Sequence, residues 1–518
     1  MKKLVGLLFS ISFLGVMVAQ PSIEWKKTFG GSYWDIFLDV HQTSDGGYIA
    51  VGATESINGD VSGNHGSSDV WVVKMSSTGG IQWKKALGGT GYDAGSAIVE
   101  TKDGGFILMG FSDSHNGQVS GNHGNYDFWV VKLSNLGAIE WQKSLGGSML
   151  EYGFGIQQTN DNGYILIGYS ISNDGDVSGN HGLGDIWVVK LSNLGVLQWQ
   201  KTLGGSNDEG AACIKQTSDG GYILAGSTLS DDGDVVGQHG GGDIWLVKLS
   251  EFGDIQWQKT YGGSKEEALD QTPSALQITA DSGYILSGRS YSDDGDVSGG
   301  HGVADAWIVK LSQEGNLQWQ KTLGGSKEDV SLSIQQTQDG GFITAGITGS
   351  FNGDVTGNHG EFDYWVIKLS SSGEKQWQKA LGGTKTDYAY SILQSNDGGY
   401  LVSGLTESIN GDVTGNHGGY DAWVVKLNPV SVDVEEAWPT EIVTLFPNPA
   451  NQMVYVSIAP EEIMMSISIS DLQGQQISQQ TIQNGGGLEV SSLPNGMYSI
   501  VATTPSGRVF SAKFNKVE

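Results

Sequence analysis

The segment DIWVVKLSNLGVLQWQKTLGGS, residues 185–206, reads as two short β-strands joined by a glycine turn. Val, Ile, Leu and Trp dominate Asp185 to Leu191 and Val196 to Leu203, and Ser192-Asn193-Leu194-Gly195 between them has the composition of a tight turn. Both strands recur along the chain. The first type places its tryptophan at Trp71, Trp129, Trp187, Trp245, Trp307, Trp365 and Trp423, the second at Trp25, Trp83, Trp141, Trp199, Trp257, Trp319 and Trp377. Each occurs seven times with a period of about 58 residues, the mark of a repeat architecture. The second type opens the array, at Ile23 to Thr28, and has no copy after Trp423, where Leu427 runs into Asn428 and Pro429. A repeat split across both ends has a use in a ring, where the N-terminal strand completes the last sheet. The expected fold is all-β: a closed, seven-bladed β-propeller of four-stranded blades.

In the third copy, Ile156 to Thr159 and Tyr164 to Gly168 supply the first two strands and the quoted pair the last two. No apolar pattern of helical period interrupts them. In such an up-and-down sheet the short turns share one face of the ring. The long second-to-third loop, here residues 172–184, shares the other with the Gly-Gly-Ser or Gly-Gly-Thr crossings between copies. Variation concentrates on that long-loop face: the step from Trp245 to Trp307 is 62 residues because Lys265 to Ala275 carries a four-residue insertion. Any ligand is expected there. The two tryptophans of each copy are expected to fill the wedge between neighbouring blades. Tyr33 and Trp34 depart from the repeat in a crossing and are the aromatic candidates for a sugar.

Each copy also carries a histidine in the long loop (His65, His123, His181, His239, His301, His359, His417) and an aspartate at the head of the tryptophan strand, such as Asp69, Asp185 and Asp421. A site for one reaction breaks the symmetry of its scaffold once, so seven equivalent pairs read as loop pins. Asp45, Asp219 and Asp339, each before Gly-Gly, read as turn formers. Closely spaced carboxylates make Asp174, Asp176, Asp232, Asp234, Asp294 and Asp296 the calcium candidates, because hard oxygens on a glycine turn suit that ion. Turn formation is the competing reading, and the second copy reads Asn116-Gly117-Gln118, without a carboxylate. Glu266, Glu267 and Asp270 in the insertion could supply the acid and base of a glycoside hydrolase. No nucleophile elbow, phosphate loop or His-Glu-x-x-His motif accompanies them.

Composition bounds the rest. Among 518 residues there are 80 glycines and 9 prolines, as many tight turns require, and a single cysteine, Cys213, read as a small buried hydrophobe. A net charge of −29 argues against nucleic acid as a partner. Lys2 and Lys3 before an apolar run from Leu4 to Val18, then Ala19, read as a secretory signal peptide, and no later run is long enough for a membrane helix.

After Asn428 the texture changes. Leu445-Phe446-Pro447-Asn448-Pro449, then Asp471-Leu472-Gln473-Gly474, then Gly496-Met497-Tyr498, then Lys513-Phe514 occur in order. Together these motifs resemble the C-terminal sorting domain of the type IX secretion system of Bacteroidetes. The resemblance implies a small β-sandwich read by the outer-membrane translocon, then removed or exchanged for a surface anchor. The repeats are similar to those common in secreted proteins of the same bacteria, which implies a propeller and no particular activity. The expected organisation is a signal peptide at 1–19, the propeller at 20–428, a linker at 429–441 and the sorting domain at 442–518. The expected function is non-catalytic binding of a glycan or surface protein, by a protein secreted or held at the outer-membrane surface. A polysaccharide-active, endoglucanase-like hydrolase is the alternative.

Overall fold

A computed structural model describes residues 20–270, 272–430, 443–458, 464–471, 475–505 and 509–518. The expected signal peptide, linker residues 431–441 and the turn residues Leu472 to Gly474 lie outside these. Among the described residues every regular element is a strand. No helix among them is long and apolar enough to cross a membrane.

Residues 23–427 form seven sheets, six of them from consecutive strands at 35–87, 93–145, 151–203, 209–261, 267–323 and 329–381. The third pairs Glu151–Gln158, Tyr164–Ser170, Asp185–Leu191 and Leu197–Leu203 in chain order, all antiparallel. Its first strand therefore starts five residues before Ile156, the start expected from sequence. A bulge between Gly153 and Gly155 breaks the alternation that would have revealed it, and the Glu151 N–H bonds to the Tyr126 carbonyl of the preceding sheet at 2.7 Å. In the fifth sheet the insertion splits the first strand into Glu267–Ala268 and Leu276–Ile278, both paired with Tyr284–Ser290.

The seventh sheet takes three strands from 387–427 and its fourth from the N-terminal end. Ile23–Phe29 runs antiparallel to Asp421–Leu427, with Ile23 opposite Leu427 and Phe29 opposite Ala422. Sheets pack face to face in sequence: Val51 and Val72 of the first share a cluster with Ile98 and Trp129 of the second. The seventh packs on the first in the same way, through Leu401 and Val424 against Phe37 and Trp71.

The tryptophans of the third strands are fully buried. Those of the fourth strands lie over the next sheet, Trp83 on Phe106 at 5.8 Å, Trp377 on Tyr400 at 5.7 Å and Trp25 on Tyr48 at 6.3 Å between centroids. A turn glycine is required beneath six of these rings, all but Trp377: Gly195 has φ +72°, and a Cβ there would meet Trp141 at 3.0 Å. The arrangement is propeller-like.

The described residues up to Val430 and those from Val443 on form two compact units. In the second, a sheet of Val443–Phe446, Met453–Ile458 and Gly487–Glu489 faces one of Met464–Ser470, Gln476–Gln483, Gly496–Thr503 and Val509–Lys516. They share one core, Val454, Val456 and Leu488 against Ile467, Ile500 and Phe514. Three of the separated motifs, those of Asn448, Tyr498 and Lys513-Phe514, are tied together by contacts. Asn448 donates its side-chain amide to the Lys513 carbonyl at 3.1 Å and accepts the Asn515 N–H at 2.9 Å. Tyr498 stacks on Phe514 at 5.6 Å and donates its hydroxyl to the Pro494 carbonyl at 2.8 Å.

Candidate functional site

The long loops are held alike in each sheet. Buried Asp185 accepts the His181 backbone N–H at 3.1 Å and contacts ring Nδ1 at 2.6 Å. His65, His123, His239, His359 and His417 make the same ring contact at 2.6 or 2.7 Å. At His301 the ring is 3.9 Å from Asp305, and the backbone N–H carries the link. The short turns are fixed by Asp45 and its equivalents: Asp45 accepts the Gly47 N–H at 2.9 Å and pairs with buried Lys74, also at 2.9 Å.

A second set of buried acids heads the first strands: Asp35, Asp93, Glu151, Glu209, Glu267, Asp329 and Asp387. The repeat reading does not single them out, because Asp and Glu alternate there; their signal is a fixed place four residues after the second crossing glycine. Glu209 accepts the Gly205 N–H at 2.8 Å and the Thr228 hydroxyl at 2.9 Å. The two sets converge on the crossing: a Cβ on Gly204 would meet Glu209 at 2.3 Å and Asp185 at 2.7 Å. Burial raises the carboxyls of most of these acids, those of Asp387 and Asp421 to about 6.

Raised carboxyls bind protons more tightly folded than unfolded, so their contribution to stability is full below pH ~4 and is lost as pH rises through about 6. Asp45 and Asp219 are lowered to about 2, Asp45 chiefly by hydrogen bonds from Lys74 and Thr43, so their stabilisation is full above pH ~4 and is lost as pH falls through about 2. The melting temperature of the repeat unit is therefore expected to rise by several degrees between pH 8 and pH ~5. Scanning calorimetry across that range checks it; a flat or falling profile contradicts the assigned burial.

The calcium candidates sit at the crossings. Asp174, Asp232 and Asp294 each accept a serine N–H at 2.7 Å, from Ser148, Ser206 and Ser264. In the other copies Asn58 and Asn352 accept a serine N–H, and Asn116 and Asn410 a threonine N–H, all at 2.9 Å. Asp234 and Asp296 lie 3.4 Å from the N–H of Gly204 and Gly262, the role of Gln118 in the second copy at 3.1 Å. Asp176 stands at the same position, one carboxylate oxygen buried without a partner. Among the described residues no three His, Cys, Asp or Glu side chains converge as a metal-binding group. Changing Asp174, Asp232 and Asp294 together to Asn is expected to leave the melting temperature in chelator within ~2 °C. A calcium-induced rise present in the parent and missing from the triple variant would assign the metal to these loops.

The sevenfold regularity fails at one place, around the long-loop ends of the first strands. Tyr152 of the third sheet packs on Phe111 and Tyr126 of the second, at 4.9 and 5.3 Å. Phe111 stacks with Tyr92 at 6.2 Å, and both join a cluster with Trp34 and with Tyr388, Tyr390 and Tyr420 of the seventh sheet. Tyr388 and Tyr390 reach on to Phe362 of the sixth. These half-buried rings form one belt across five sheets. Backbone hydrogen bonds between neighbouring sheets fix its spacing, including Asp35 N–H to the Tyr420 carbonyl at 2.7 Å between first and seventh. Of the two aromatic candidates, Trp34 packs into the belt, while Tyr33 is 58% exposed.

The fourth and fifth sheets differ. Gly210 replaces Tyr152, Ser227 replaces Phe111, and the fifth sheet has Arg289 there. Arg289 pairs with Asp270 at 2.5 Å and Glu266 at 3.2 Å, with its guanidinium 6.0 Å from the centre of the Tyr291 ring. Burial raises the Asp270 carboxyl to about 6 against the pull of Arg289. Of the three acids singled out in the insertion, Glu267 is buried as a crossing anchor, and the other two share one guanidinium. Cys213 is buried in the core, its thiol raised to about 12.

Residues 444–514 match the family described as the secretion system C-terminal sorting domain. The chain is thus cargo of the type IX secretion system, delivered to the cell surface or released. A curated relative, the regulatory protein FlaEY of Caulobacter vibrioides, is 29% identical over 178 residues, a match spanning 30% of this chain and 18% of that one. Among solved structures, PorZ of Porphyromonas gingivalis, a surface component of the type IX secretion system, aligns with a TM-score of 0.37 at 12% identity, over 95% of this chain and 60% of its own. The extracellular domain of the B. thetaiotaomicron two-component system BT4673 aligns at 0.40 and 9% identity, over 93% of this chain and 57% of its own.

Proposed function

We propose that residues 20–430 form a closed seven-bladed β-propeller that binds a glycan, without catalysis, at the aromatic belt on its long-loop face. Closure is supported by the pairing of Ile23–Phe29 with the last strand and by the packing of the seventh sheet on the first. The glycan reading rests on one observation: the aromatic residues that depart from the repeat gather into a single half-buried belt. Such rings give flat apolar platforms for the C–H faces of sugars, with phenol hydroxyls beside them for sugar hydroxyls. Export to the surface places the belt where polysaccharide is met.

Hydrolysis is the second reading, favoured by the raised carboxyl of Asp270. Its engagement by Arg289 opposes that role. A glycan array, repeated with calcium and chelator, beside a reducing-sugar release assay separates the two. Binding that weakens about tenfold or more in Trp34→Ala or Tyr92→Ala, with no release of reducing ends, is expected. Sugar release abolished by Asp270→Asn would replace binding with hydrolysis.

A further inference from the structure

The belt is acidic as well as aromatic. Tyr169 donates its phenol to Asp208 at 2.9 Å, and Asp113 accepts the Tyr92 N–H at 2.5 Å. Burial first, and nearby carboxylates second, raise the phenols around the rim: Asp113 acts on Tyr126 and Tyr152, Glu328 and Glu361 on Tyr388, and Glu407 on Tyr420. Of the cations nearby, Arg289 is paired with Asp270 and Glu266, and Lys385 with Glu407 at 2.7 Å; Lys327 lies over the Phe351 ring, 4.8 Å from its centre. One oxygen of Asp270 and the Nε of Arg289 are buried without a hydrogen-bond partner. The whole chain, at −29, adds a long-range field of the same sign.

Resting on the glycan reading above, we infer that the sugar taken by this belt carries free amino groups, as an oligomer of unacetylated glucosamine does. Aromatic faces attract ammonium groups through the ring quadrupole, most strongly where water is partly excluded. Glu361 accepts the Thr386 hydroxyl at 3.2 Å and directly precedes Phe362, whose ring lies 5.6 Å from that of Tyr388, while Glu328 holds in its crossing the place that Trp34 and Tyr92 hold in theirs; both carboxylates are there to pair with such groups. The same field repels uronates and sulfated sugars, and a neutral glycan leaves the carboxylates without a purpose in binding.

Calorimetric titration of the full chain with glucosamine hexamer, N-acetylglucosamine hexamer and glucose hexamer tests this, since the three share ring and linkage and differ in charge. At low salt, and at a pH where the sugar amines are protonated, the glucosamine hexamer is expected to bind about tenfold tighter than the other two, an advantage lost near 0.5 M salt. Glu328→Gln with Glu361→Gln, both at the surface, should bring it down to the neutral oligomers without moving the melting temperature. Equal affinity for all three hexamers overturns the amino-sugar inference and leaves the glycan reading standing. Binding of none, or of oligolysine alone, overturns both.

Discussion

A chain lacking residues 20–29 is expected to lose the cooperative unfolding transition of its repeat unit, or to associate through the bared edge. Ile23–Phe29 covers Asp421–Leu427, every residue of which is buried. Without it, the N–H and C=O groups of that strand that face Ile23–Phe29 lose their partners, and an open, apolar edge templates pairing with another chain. Phe29 is 3% exposed and packs on Phe37 at 6.0 Å. Phe29→Ala alone should cost about 3 kcal/mol or more, as aromatic truncations in cores do. A permuted chain separates closure from mere loss of contacts. Moving residues 20–29 to follow Leu427, through a four-residue turn like Ser192 to Gly195, should restore a monomer with near-parental melting. A truncated chain that stays monomeric and melts as the parent does would show that the strand closes nothing.

The fold was legible because its signals are periodic: a tryptophan at fixed spacing marks two of every four strands, and the uneven placing of the second type locates the shared sheet. The first strands were read short. Their bulges, as at Gly153 to Gly155 and Ala211 to Cys213, hide the period of two, and the pairing that extends them is made with a neighbouring sheet. The loop histidines were legible as pins from their repetition. The ring of acids headed by Asp35 was not, since alternation between Asp and Glu masks a position whose role needs only a carboxylate oxygen.

The site was visible only in part. Trp34 stands out because it breaks the repeat, and Tyr92 holds the same place in the next crossing, yet Tyr152 and Tyr390 come from strand positions that also hold Gly, Ala or Ser, and nothing local says that they meet. Curvature of the array brings them together. That is a property of seven sheets at once, beyond the reach of any one copy.

Deleting residues 444–518 is expected to abolish delivery of the protein to the surface or medium while leaving the repeat unit folded in the periplasm. The two halves of this expectation rest on different observations. Folding should survive because the core of the tail is its own: Val454, Ile467, Ile500 and Phe514 cluster with residues of the tail alone, and the clusters of the repeat unit end at Val430. Export should fail because residues 444–514 carry the sorting domain. Within it, a finer variant should act without removing any strand. Asn448 ties the opening Pro-Asn-Pro motif to the last strand by two hydrogen bonds, and Tyr498 packs on Phe514. Tyr498→Ala should weaken this small core by about 3 kcal/mol, a large fraction of what so small a domain possesses. Cell fractionation in a host that has the secretion system, beside calorimetry of the purified repeat unit, measures both halves. Truncated protein reaching the surface at parental levels would remove the sorting assignment, and truncated protein that is exported nowhere and also fails to melt cooperatively would remove the independence of the two units.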